Sequence, residues 1–364
     1  MTTFESQLKE KLFIDFYNNF GIENYDFERF GNYPQVKINL IKCKEYINNF
    51  LNNPDKIINK LTIPTLKYFA GLNFLYNELN DDDKKLLIEL ISFRILGFRK
   101  VKLSINNDVY NNAIKFAKSL SDITHTYNPK FKNVTLHKHD LKKIGYDSQI
   151  YFSSMGVAVD FIIEQYSYKK NNLNLIHAEK GDNVLDIGGC WGDTAIYFAN
   201  KVGEKGHVYS FEFIPNNIVV HQYNSKINPN ISNRITLVKQ PVWEQSDIEV
   251  YFKDNGPGSF LSFKSFSNQN GFVKTISIDD FVEKNNIEKI DFIKMDIEGA
   301  EFSALKGAVK TINKFKPKLA IALYHSLDDF VTIPKLISDL ELGYKFYLGH
   351  YTIHAEETIL FAQI

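Results

Sequence analysis

The feature that most constrains the fold is a short apolar segment followed by a glycine-rich turn. The segment Asn183–Ile187 is typical of a buried strand, and a helical pattern starts near Asp193. The turn between them contains Gly188, Gly189 and Gly192. Glycines at the carboxyl end of a parallel strand let a ligand come close to the backbone. We therefore expect a ligand site at this turn.

Strand and helix patterns continue to alternate after this turn, with helices predicted at Asp193–Asn200 and Asn216–Ile227. Further strands are predicted at His207–Phe211, Arg234–Lys239, Ile248–Phe252, Ile290–Met295, Leu319–Tyr324, Tyr344–His350 and Thr358–Ala362. The last two leave no room for a crossover helix, so we expect them to be antiparallel neighbours. The expected fold is an α/β, Rossmann-like doubly wound sheet, mostly parallel with a C-terminal antiparallel hairpin.

The first 130 residues are predicted to be mainly helical. Apolar residues fall at helical spacing over Pro64–Leu79 and again from Asp83 onward. The acidic run 81–83 offers N-cap residues and negative charge for the second of these helices. We expect residues 1–130 to form an accessory unit that serves oligomerisation or acceptor binding.

The next part of the chain is predicted to connect this unit to a catalytic domain. Short strands are expected at Asn133–His137 and Gln149–Phe152, and a helix at Gly156–Tyr168. We expect residues 131–180 to form a hairpin and helix near the acceptor site. The catalytic domain is expected at residues 181–364.

Charge and composition narrow the class of protein. Lys and Arg number 43, as do Asp and Glu, whereas a nucleic-acid-binding protein usually has a basic excess. The apolar stretches are shorter than the roughly eighteen residues that a membrane span needs. Cys43 and Cys190 form no disulfide pattern, and no leader follows Met1. We expect a cytoplasmic protein, without a nucleic-acid partner or a membrane span, that can form a homo-oligomer.

Two acids near the glycine turn indicate the kind of ligand. Asp186 ends the first strand, where an acid would repel a pyrophosphate but suit the ammonium and sulfonium of S-adenosylmethionine. Glu212 lies 24 residues after Gly188, where a carboxylate can accept hydrogen bonds from two ribose hydroxyls. Cys190 has no adjacent base, so we interpret it as a small side chain with a packing role and not as a nucleophile. The predicted cofactor-binding residues are Asp186, Gly188, Gly189, Trp191, Gly192, Asp193, Thr194, Glu212 and Gln240.

Two other functions stay open on these residues alone. A NAD(P)-dependent sugar-nucleotide oxidoreductase or epimerase uses the same layered fold. The G-x-G-x-x-G turn of such an enzyme is missing here, and Asp186 lies where an acid would repel the pyrophosphate of its cofactor. A non-catalytic, cofactor-binding subunit is the second alternative. Calorimetry with S-adenosylmethionine against NAD would separate a methyltransferase from an oxidoreductase.

Three longer segments carry a family resemblance. They are VLDIGGCWGDTAIYFA at Val184–Ala199, YSFEFIPNN at Tyr209–Asn217 and DFIKMDIEGAEFSALKGA at Asp291–Ala308. Through them the sequence resembles the FkbM-type methyltransferases over about residues 145–364. The resemblance implies a class I methyltransferase fold and S-adenosylmethionine-dependent O-methylation. It implies as acceptor the hydroxyl of a sugar or nucleotide sugar, in the biosynthesis of bacterial surface polysaccharides such as capsule or lipopolysaccharide.

Carboxylates follow another apolar strand at the same edge of the predicted sheet. Asp296, Glu298 and Glu301 come directly after Ile290–Met295. Asp296 and Glu298 are predicted to be catalytic, and Glu301 to bind substrate. The alternatives are that these acids only favour the following helix dipole, or that a hard divalent ion such as Mg²⁺ binds Asp296 and Glu298. We favour substrate contact over a metal, and the divalent ion stays optional.

A histidine ends the next predicted strand. His325 follows Tyr324, and the family that the sequence resembles has a matching Tyr-His pair. We predict that Tyr324 binds substrate. Histidine is the side chain most often placed to take a hydroxyl proton near neutral pH. We predict His325 as the general base, oriented by Asp296.

The hairpin before the catalytic domain offers further acceptor contacts. His137 and His139 alternate on one predicted strand, with Asp140 beside them, but no third metal ligand lies at a fixed spacing. We therefore predict substrate contact, and not metal binding, for His137, Tyr151 and Ser154, with Tyr146 close by.

Two more segments bear on the acceptor. The loop Asn255–Phe260 has glycines on both sides of Pro257, which permit hinge motion over a bound acceptor. His350 and His354 near the terminal hairpin are interpreted as structural, and the alternative is that either of them lines the acceptor pocket.

Overall fold

The described part of the N-terminal third of the chain is mainly helical, as predicted. The computed structural model describes residues 2–33, 54–132, 134–170 and 173–364, so Cys43 and Asn133 lie outside the described residues. The helices are α1 Thr3–Phe16, α2 Phe27–Phe30, α3 Pro54–Thr62, α4 Phe69–Glu78, α5 Asp81–Leu96 and α6 Asp108–Ser119, with 3-10 turns at Gly21–Asn24 and Ile63–Tyr68.

The ends of two of these helices differ from the prediction. Asn80 caps α5 by accepting from the backbone N–H groups of Asp82 and Asp83, so the acidic run forms its first turn and not its cap. The helix predicted over Pro64–Leu79 begins as a 3-10 turn and becomes α-helical only at Phe69.

A small antiparallel sheet follows, with the strands β1 Ser121–Tyr127, β2 Leu136–Asp140 and β3 Gln149–Phe152 in that order. The prediction for β3 is confirmed, and β1 was not predicted. The strand predicted at Asn133–His137 corresponds to β2, which begins only at Leu136, three residues later than predicted. The Val134 N–H donates to the Phe131 carbonyl, so the chain is still turning there. A 3-10 turn, Leu141–Ile144, joins β2 to β3.

The helix predicted at Gly156–Tyr168 is shorter and irregular. Helix α7, Ser154–Val157, continues as a π-helix over Ala158–Ile163. Glu164 then takes a left-handed backbone with φ of 63° and ends it. Tyr168 instead begins β4, Tyr168–Lys170, which pairs with β5, Leu173–Ile176.

The main sheet has seven strands in the order β14-β15-β13-β12-β6-β7-β8. They are β6 Asn183–Ile187, β7 His207–Phe211, β8 Ile235–Val238, β12 Phe292–Met295, β13 Lys318–Ala322, β14 Lys345–His350 and β15 Thr358–Gln363. Strands β13, β12, β6, β7 and β8 are parallel, and β15 runs antiparallel to both β13 and β14. The doubly wound fold with a terminal antiparallel hairpin is confirmed.

Helices cover both faces of this sheet. They are α8 Asp193–Val202, α9 Pro215–Lys226, α10 Ile278–Lys284, α11 Glu301–Lys306, α12 Val309–Phe315 and α13 Asp329–Ser338, with a 3-10 turn at Ser232–Arg234. None of the helices in the described residues combines the length and the apolar character that crossing a bilayer would require.

One predicted strand lies outside the main sheet. Strand β9, Glu249–Lys253, pairs with β10, Phe260–Ser262, and with β11, Gly271–Lys274. This three-stranded antiparallel sheet, which we call the small sheet, is inserted between β8 and α10. It includes most of the strand predicted at Ile248–Phe252.

The N-terminal helices share a hydrophobic core with one face of the main sheet. Leu8 of α1 and Leu72 of α4 belong to the same buried cluster as Ile187 and Ile293. A Cβ on Gly71 would lie 2.1 Å from Val331, so α4 and α13 touch at a residue without a side chain. The helices therefore pack directly on the catalytic part. The domain boundaries at residues 130 and 180 remain a proposal.

Candidate active site

A cavity of about 260 Å³ opens at the carboxyl ends of the parallel strands. Five residues predicted for cofactor binding or catalysis line it together: Gly188, Glu212, Gln240, Asp296 and Glu298. They follow β6, β7, β8 and β12, the four neighbouring strands at the centre and one side of the sheet. Parallel strands bring such residues to one edge, where α/β folds bind their ligands.

The glycine turn is held tightly against the end of β12. Gly188 has φ of +90°, and a Cβ there would lie 2.0 Å from the Asp296 carbonyl oxygen. Cys190, in the same turn, lines the cavity with φ of 39°. Only glycine fits position 188, because any side chain would separate the turn from Asp296.

The structure places Asp186 behind the cavity and pairs it with a lysine. Its Oδ1 lies 3.1 Å from Lys294 Nζ and accepts from Thr194 Oγ1 at 2.8 Å. Its Oδ2 accepts from Ser210 Oγ at 2.8 Å. Burial opposes the Lys294 charge, yet the surrounding aspartates raise the pKa of Lys294 above its usual value. The Asp186 charge is therefore paired within the protein, and this geometry does not support direct contact between Asp186 and a cationic ligand.

Glu212 stands at the cavity edge with part of its hydrogen-bonding capacity free. Its Oε1 accepts from the N–H groups of Phe213 and Ile214, each at 2.7 Å, and its Oε2 from Asn217 Nδ2 at 3.1 Å. Burial raises the pKa of Glu212 to about 7. A carboxylate oxygen has two lone pairs, so Oε2 can accept one more bond from a ligand hydroxyl.

The other predicted cofactor residues support the turn from behind. Trp191 donates through Nε1 to Asn217 Oδ1 at 3.1 Å and packs beside Tyr151. A Cβ on Gly189 would lie 2.0 Å from Ser210 Oγ, and Gly192 caps α8 with φ of 85°. The residues that lie outside the cavity lining are Asp186, Gly189, Trp191, Gly192, Asp193 and Thr194.

Asp193 belongs to a buried acid pair. Burial raises the pKa of Asp193 to about 6. Asp160, on the π-helix, is buried beside it, and burial together with the Asp193 charge raises the pKa of Asp160 well above its usual value. Two adjacent buried carboxyls favour holding one proton between them, and Asp193 Oδ1 has no hydrogen-bond partner among the described residues.

Asp296 is held by two tyrosine hydroxyls. Tyr324 donates to Oδ1 at 2.8 Å, and Tyr166 donates to Oδ2 at 3.0 Å. Tyr324 was predicted to bind substrate, but its hydroxyl is used by Asp296. Tyr166 was not predicted, because nothing in its local sequence marks it and only folding brings it to β12.

The turn after Asp296 points a strained residue into the cavity. Glu298 has φ of 58° and Gly299 has φ of +93°, so two successive residues are left-handed. The Glu298 side chain is 46% exposed and lines the cavity. Burial is the main cause that raises the pKa of Glu298 to about 7. A left-handed glutamate costs free energy and is typical of functional turns.

Glu301 is fully buried and does not line the cavity. Its Oε1 accepts from the Ile297 N–H at 2.7 Å and lies 3.2 Å from His325 Nδ1. The prediction that Glu301 binds substrate therefore changes: Glu301 holds the turn and the histidine.

His325 lies among three carboxylates. Its Nε2 is 3.5 Å from Asp296 Oδ1 and 3.9 Å from Glu298 Oε2, while its Nδ1 faces Glu301. Burial lowers the pKa of His325, but the carboxylates outweigh it and raise this pKa to about 10. An imidazolium cannot accept a further proton, so the carboxylates around His325 argue against it as the general base at neutral pH.

The same cluster bears on metal binding. Donor atoms of Asp296, Glu301 and His325 all lie within 4.8 Å of one another, whereas Glu298 is outside this group. Magnesium prefers oxygen ligands, and Asp296 already accepts two tyrosine hydroxyls. Attraction between the imidazolium and the carboxylates accounts for these contacts, so the predicted Mg²⁺ site at Asp296 and Glu298 fits the geometry poorly.

The predicted acceptor contacts of the hairpin lie away from the cavity. His139 is buried, with Nε2 3.1 Å from Ser154 Oγ and Nδ1 2.9 Å from the His137 carbonyl oxygen. Burial lowers the pKa of His139 to about 4. Tyr151 is buried in a cluster with Trp191. The structure therefore does not bring His137, Tyr151 or Ser154 to the cavity lining.

Tyr146 and the two late histidines are also engaged inside the protein. The Tyr146 hydroxyl donates to Glu164. His350 Nδ1 lies 2.9 Å from Thr358 Oγ1, and His354 Nδ1 lies 2.7 Å from Asp26. These contacts hold elements together, in agreement with the interpretation of His350 and His354 as structural.

The loop 255–260 does line the cavity. Gly256, Pro257 and Phe260 contribute to its wall, and Asn217 Nδ2 donates to the Gly256 carbonyl at 3.3 Å. Because Asn217 also binds Glu212, the loop is tied to the edge of the site. Sequence reasoning missed Trp243 and Phe263, which line the cavity as well.

Comparison with known families agrees with this geometry. Residues 176–346 match the sequence profile of the methyltransferase FkbM domain. This segment is an FkbM-type methyltransferase domain. The matched segment contains the glycine turn, Glu212, Asp296 and His325, and the profile that it matches is that of a methyltransferase domain. The family resemblance is confirmed for this segment.

Solved structures agree on the fold. The chain is similar to the methyltransferase FkbM of Methylobacillus flagellatus, with 19% identity and a TM-score of 0.50 over 81% of this chain and 59% of that one. The chain thus spans about three fifths of that protein's length. The FkbM domain has the class I methyltransferase fold.

Weaker similarities exist to other methyltransferases. Aeropyrum pernix fibrillarin, solved with S-adenosylmethionine, is 14% identical over 52% of this chain and 70% of its own, with a TM-score of 0.33. An O-methyltransferase from Bacillus cereus, solved with SAH, is 12% identical over 71% of this chain and 91% of its own, with a TM-score of 0.35. No curated protein sequence matches the chain significantly.

Proposed function

We propose that this protein transfers the methyl group of S-adenosylmethionine to a hydroxyl oxygen of a sugar or nucleotide sugar. The observation that carries the proposal is the single cavity that joins Glu212 and Gln240 to Asp296 and Glu298. The groups that we propose to bind ribose and the carboxylates that we propose to react thus lie on one rim. The resemblance to the FkbM family supports a sugar hydroxyl as acceptor, and a role in surface polysaccharide biosynthesis in the cytoplasm.

The lining of the cavity fits S-adenosylmethionine. Glu212 Oε2 has a free lone pair for ribose, and the Gln240 side chain offers an amide donor and acceptor. Three carboxylates line the cavity, which suits a ligand with a sulfonium and an ammonium. When bound, S-adenosylmethionine supplies an electrophilic methyl group.

We assign Glu298 as the general base. It is the carboxylate of the reactive corner that combines an exposed side chain with a place on the cavity wall. A pKa of about 7 lets it hold a hydroxyl proton and release it near neutral pH. Asp296, fixed by Tyr166 and Tyr324, orients the acceptor, and the His325 cation lowers the pKa of Glu298 against the larger effect of burial.

The match to the methyltransferase FkbM domain argues against the oxidoreductase alternative. The remaining alternative, a non-catalytic subunit, makes a different prediction for Glu298. In a subunit that only binds cofactor, Glu298→Gln would leave the activity of the assembly unchanged.

Calorimetry on Glu212→Gln tests the cofactor site. Loss of a charged hydrogen bond of about 1.5–3 kcal/mol should weaken S-adenosylmethionine binding by roughly 10- to 100-fold. Glu283→Gln, an exposed carboxylate change on α10, is the control and should bind as the wild type does. Equal affinity in both variants would refute the assigned site.

A further inference from the structure

An arginine of the N-terminal helices reaches the segment that carries Tyr324 and His325. Arg94, in the last turn of α5, donates through Nη2 to the Tyr324 carbonyl oxygen at 2.8 Å and to the Ala355 carbonyl oxygen at 3.0 Å. Its guanidinium lies 5.3 Å from the centroid of the Phe330 ring on α13. Arg94 precedes the FkbM domain, so these contacts join the N-terminal helices to that domain.

The Tyr324 carbonyl belongs to the peptide that links Tyr324 to His325. Strand β13 ends at Ala322, and beyond it the Leu323 N–H donates to the Thr358 carbonyl at 2.9 Å. Tyr324 and His325 follow in irregular backbone. Arg94 therefore supplies a hydrogen bond to the backbone where the regular pairing of the strand has ended.

This peptide carries two side chains of the active site. The Tyr324 hydroxyl donates to Asp296 Oδ1 at 2.8 Å, and His325 Nε2 lies 3.5 Å from the same oxygen. A shift of the peptide would move both side chains relative to Asp296. Misplacement of a catalytic group by about 1 Å can lower a rate on the order of 100-fold.

The second carbonyl belongs to the loop 351–357, which joins β14 to β15. The Tyr351 N–H donates to the Glu357 carbonyl at 3.1 Å and closes this loop. Burial raises the pKa of Glu298 most, and the charge of Glu356 adds to that shift, so the loop lies beside the reactive carboxylates. Arg94 thus ties α5, the end of β13 and this loop together at one point.

We propose that Arg94 is a positioning residue of the active site, which holds the Tyr324–His325 peptide so that both side chains reach Asp296. The N-terminal helices then complete the active site from outside the FkbM domain. The expected effect on methyl transfer rests on the proposed function, whereas the position of His325 can be measured without any reaction.

The pKa of His325 reports where its ring lies. Burial lowers this pKa, and the surrounding carboxylates outweigh burial and raise it to about 10. The carboxylates whose charges act on the ring are Glu301, Asp296, Glu298 and Asp329. Loss of the Arg94 cation by itself would favour the charged imidazolium and raise the pKa of His325 further. Movement of the ring away from the carboxylates would lower it instead, so the sign of the change separates the two effects.

An NMR titration of the full chain with isotope-labelled histidine measures this pKa, with His325→Gln to assign the signal. In Arg94→Met we expect the pKa of His325 to fall by about one pH unit or more, a tenfold change in proton affinity. An equal or higher pKa than in the wild type would overturn the inference.

Arg234 offers a matched control at the opposite edge of the sheet. It also donates to two backbone carbonyls, those of Ala199 at 3.0 Å and Asn230 at 3.4 Å. Arg234 directly precedes β8 and so lies at the amino ends of the parallel strands. Arg234→Met removes the same number of hydrogen bonds and should keep the wild-type pKa of His325. A similar fall in both variants would indicate general loosening of the fold and overturn a specific role for Arg94.

Kinetics with methyl-labelled S-adenosylmethionine and a panel of glycosides and nucleotide sugars measure the effect on the reaction. Arg94→Met should lower kcat about 10- to 100-fold. KM for S-adenosylmethionine should stay unchanged, because the described lining of the cavity does not include Arg94. Wild-type kcat in Arg94→Met would overturn the inference alone. If the wild type methylated none of the acceptors, the proposed function would fail, and the NMR titration would still decide the role of Arg94.

Arg94→Lys keeps the inference testable if Arg94→Met does not fold. Lysine keeps the positive charge, but its ammonium cannot reproduce the planar guanidinium that bridges the two carbonyls. Because the charge is kept, a fall in the pKa of His325 reports displacement of the ring. We expect this pKa and kcat to lie below the wild-type values, with smaller changes than in Arg94→Met. Wild-type values of both quantities in folded Arg94→Lys would overturn the inference.

Discussion

Two charge clusters lie at the same rim of the sheet and differ in their balance. In the first, which we call the lysine cluster, Asp186 faces Lys294, and both side chains are at most 1% exposed. In the second, the histidine cluster, His325 faces Asp296, Glu298 and Glu301. The first has one charge of each sign, whereas the second has three carboxylates around one cation.

The comparison shows what separates a structural acid from a reactive one. Thr194 and Ser210 also donate to Asp186, which is fully buried and outside the cavity lining, so the lysine cluster is closed to a ligand. The histidine cluster leaves Glu298 46% exposed at the cavity. A buried acid whose charge is paired, such as Asp186, stabilises the fold. An acid with unbalanced charge around it and access to the cavity, such as Glu298, is available for the reaction.

The largest expected effect is on turnover in the histidine cluster. Glu298→Gln should lower kcat by roughly 10²–10⁴-fold, the usual contribution of a general base, because the amide cannot take the hydroxyl proton. Affinity for S-adenosylmethionine should stay close to that of the wild type. Glu283→Gln serves as the control. If Glu298→Gln kept the wild-type kcat, Glu298 would not be the general base.

The lysine cluster should respond in stability and not in chemistry. Lys294→Met leaves the Asp186 charge buried without a partner, which costs about 3–5 kcal/mol in the free energy of unfolding. Urea denaturation measures this loss, and Lys284→Met at an exposed position of α10 should show almost none. An unchanged unfolding midpoint would mean that the two clusters do not differ as described.

A smaller effect is expected from the tyrosines behind Asp296. Tyr166→Phe removes one hydrogen bond to a charged carboxylate and should lower kcat about tenfold, with KM for S-adenosylmethionine unchanged. Tyr197→Phe is the matched control, since the Tyr197 hydroxyl is buried without a hydrogen-bond partner in the described part of the chain. Steady-state kinetics that showed equal kcat for both variants would exclude a positioning role for Tyr166.

The pH dependence sharpens the roles within the histidine cluster. Because Glu298 must be ionised to accept a proton, kcat should rise with pH up to its pKa of about 7. His325 stays protonated until its pKa of about 10, so kcat should fall again only above that pH. The tenfold change per pH unit below 7 should vanish in Glu298→Gln. A rise in kcat that persists in this variant would assign the lower pKa to another group.

The smallest expected effect is that of a chelator. If the imidazolium of His325 balances the carboxylates, EDTA should leave kcat unchanged, and added Mg²⁺ should not raise it. Loss of activity with EDTA and its recovery with Mg²⁺ would instead assign Asp296, Glu301 and His325 to a metal.

The amino-acid sequence by itself determined the fold class, the strands that end in the site motifs and the antiparallel hairpin at the end of the chain. Apolar runs that end in glycine or acid are local signals, and strands of a parallel sheet place such ends at one edge whatever the details of packing. For this reason Glu212, Asp296 and Glu298 could be predicted to share a site.

Only the tertiary structure decided which acids face the cavity and which charge each group carries. Asp186 and Lys294 lie 108 positions apart in the chain, so no local pattern could show that the charge of Asp186 is paired. Tyr166 likewise reaches Asp296 only after folding, so the sequence could not show that its hydroxyl fixes this acid. The charge of His325 likewise depends on three carboxylates gathered around it. Electrostatic interactions and burial act through space, and the sequence records neighbours only along the chain.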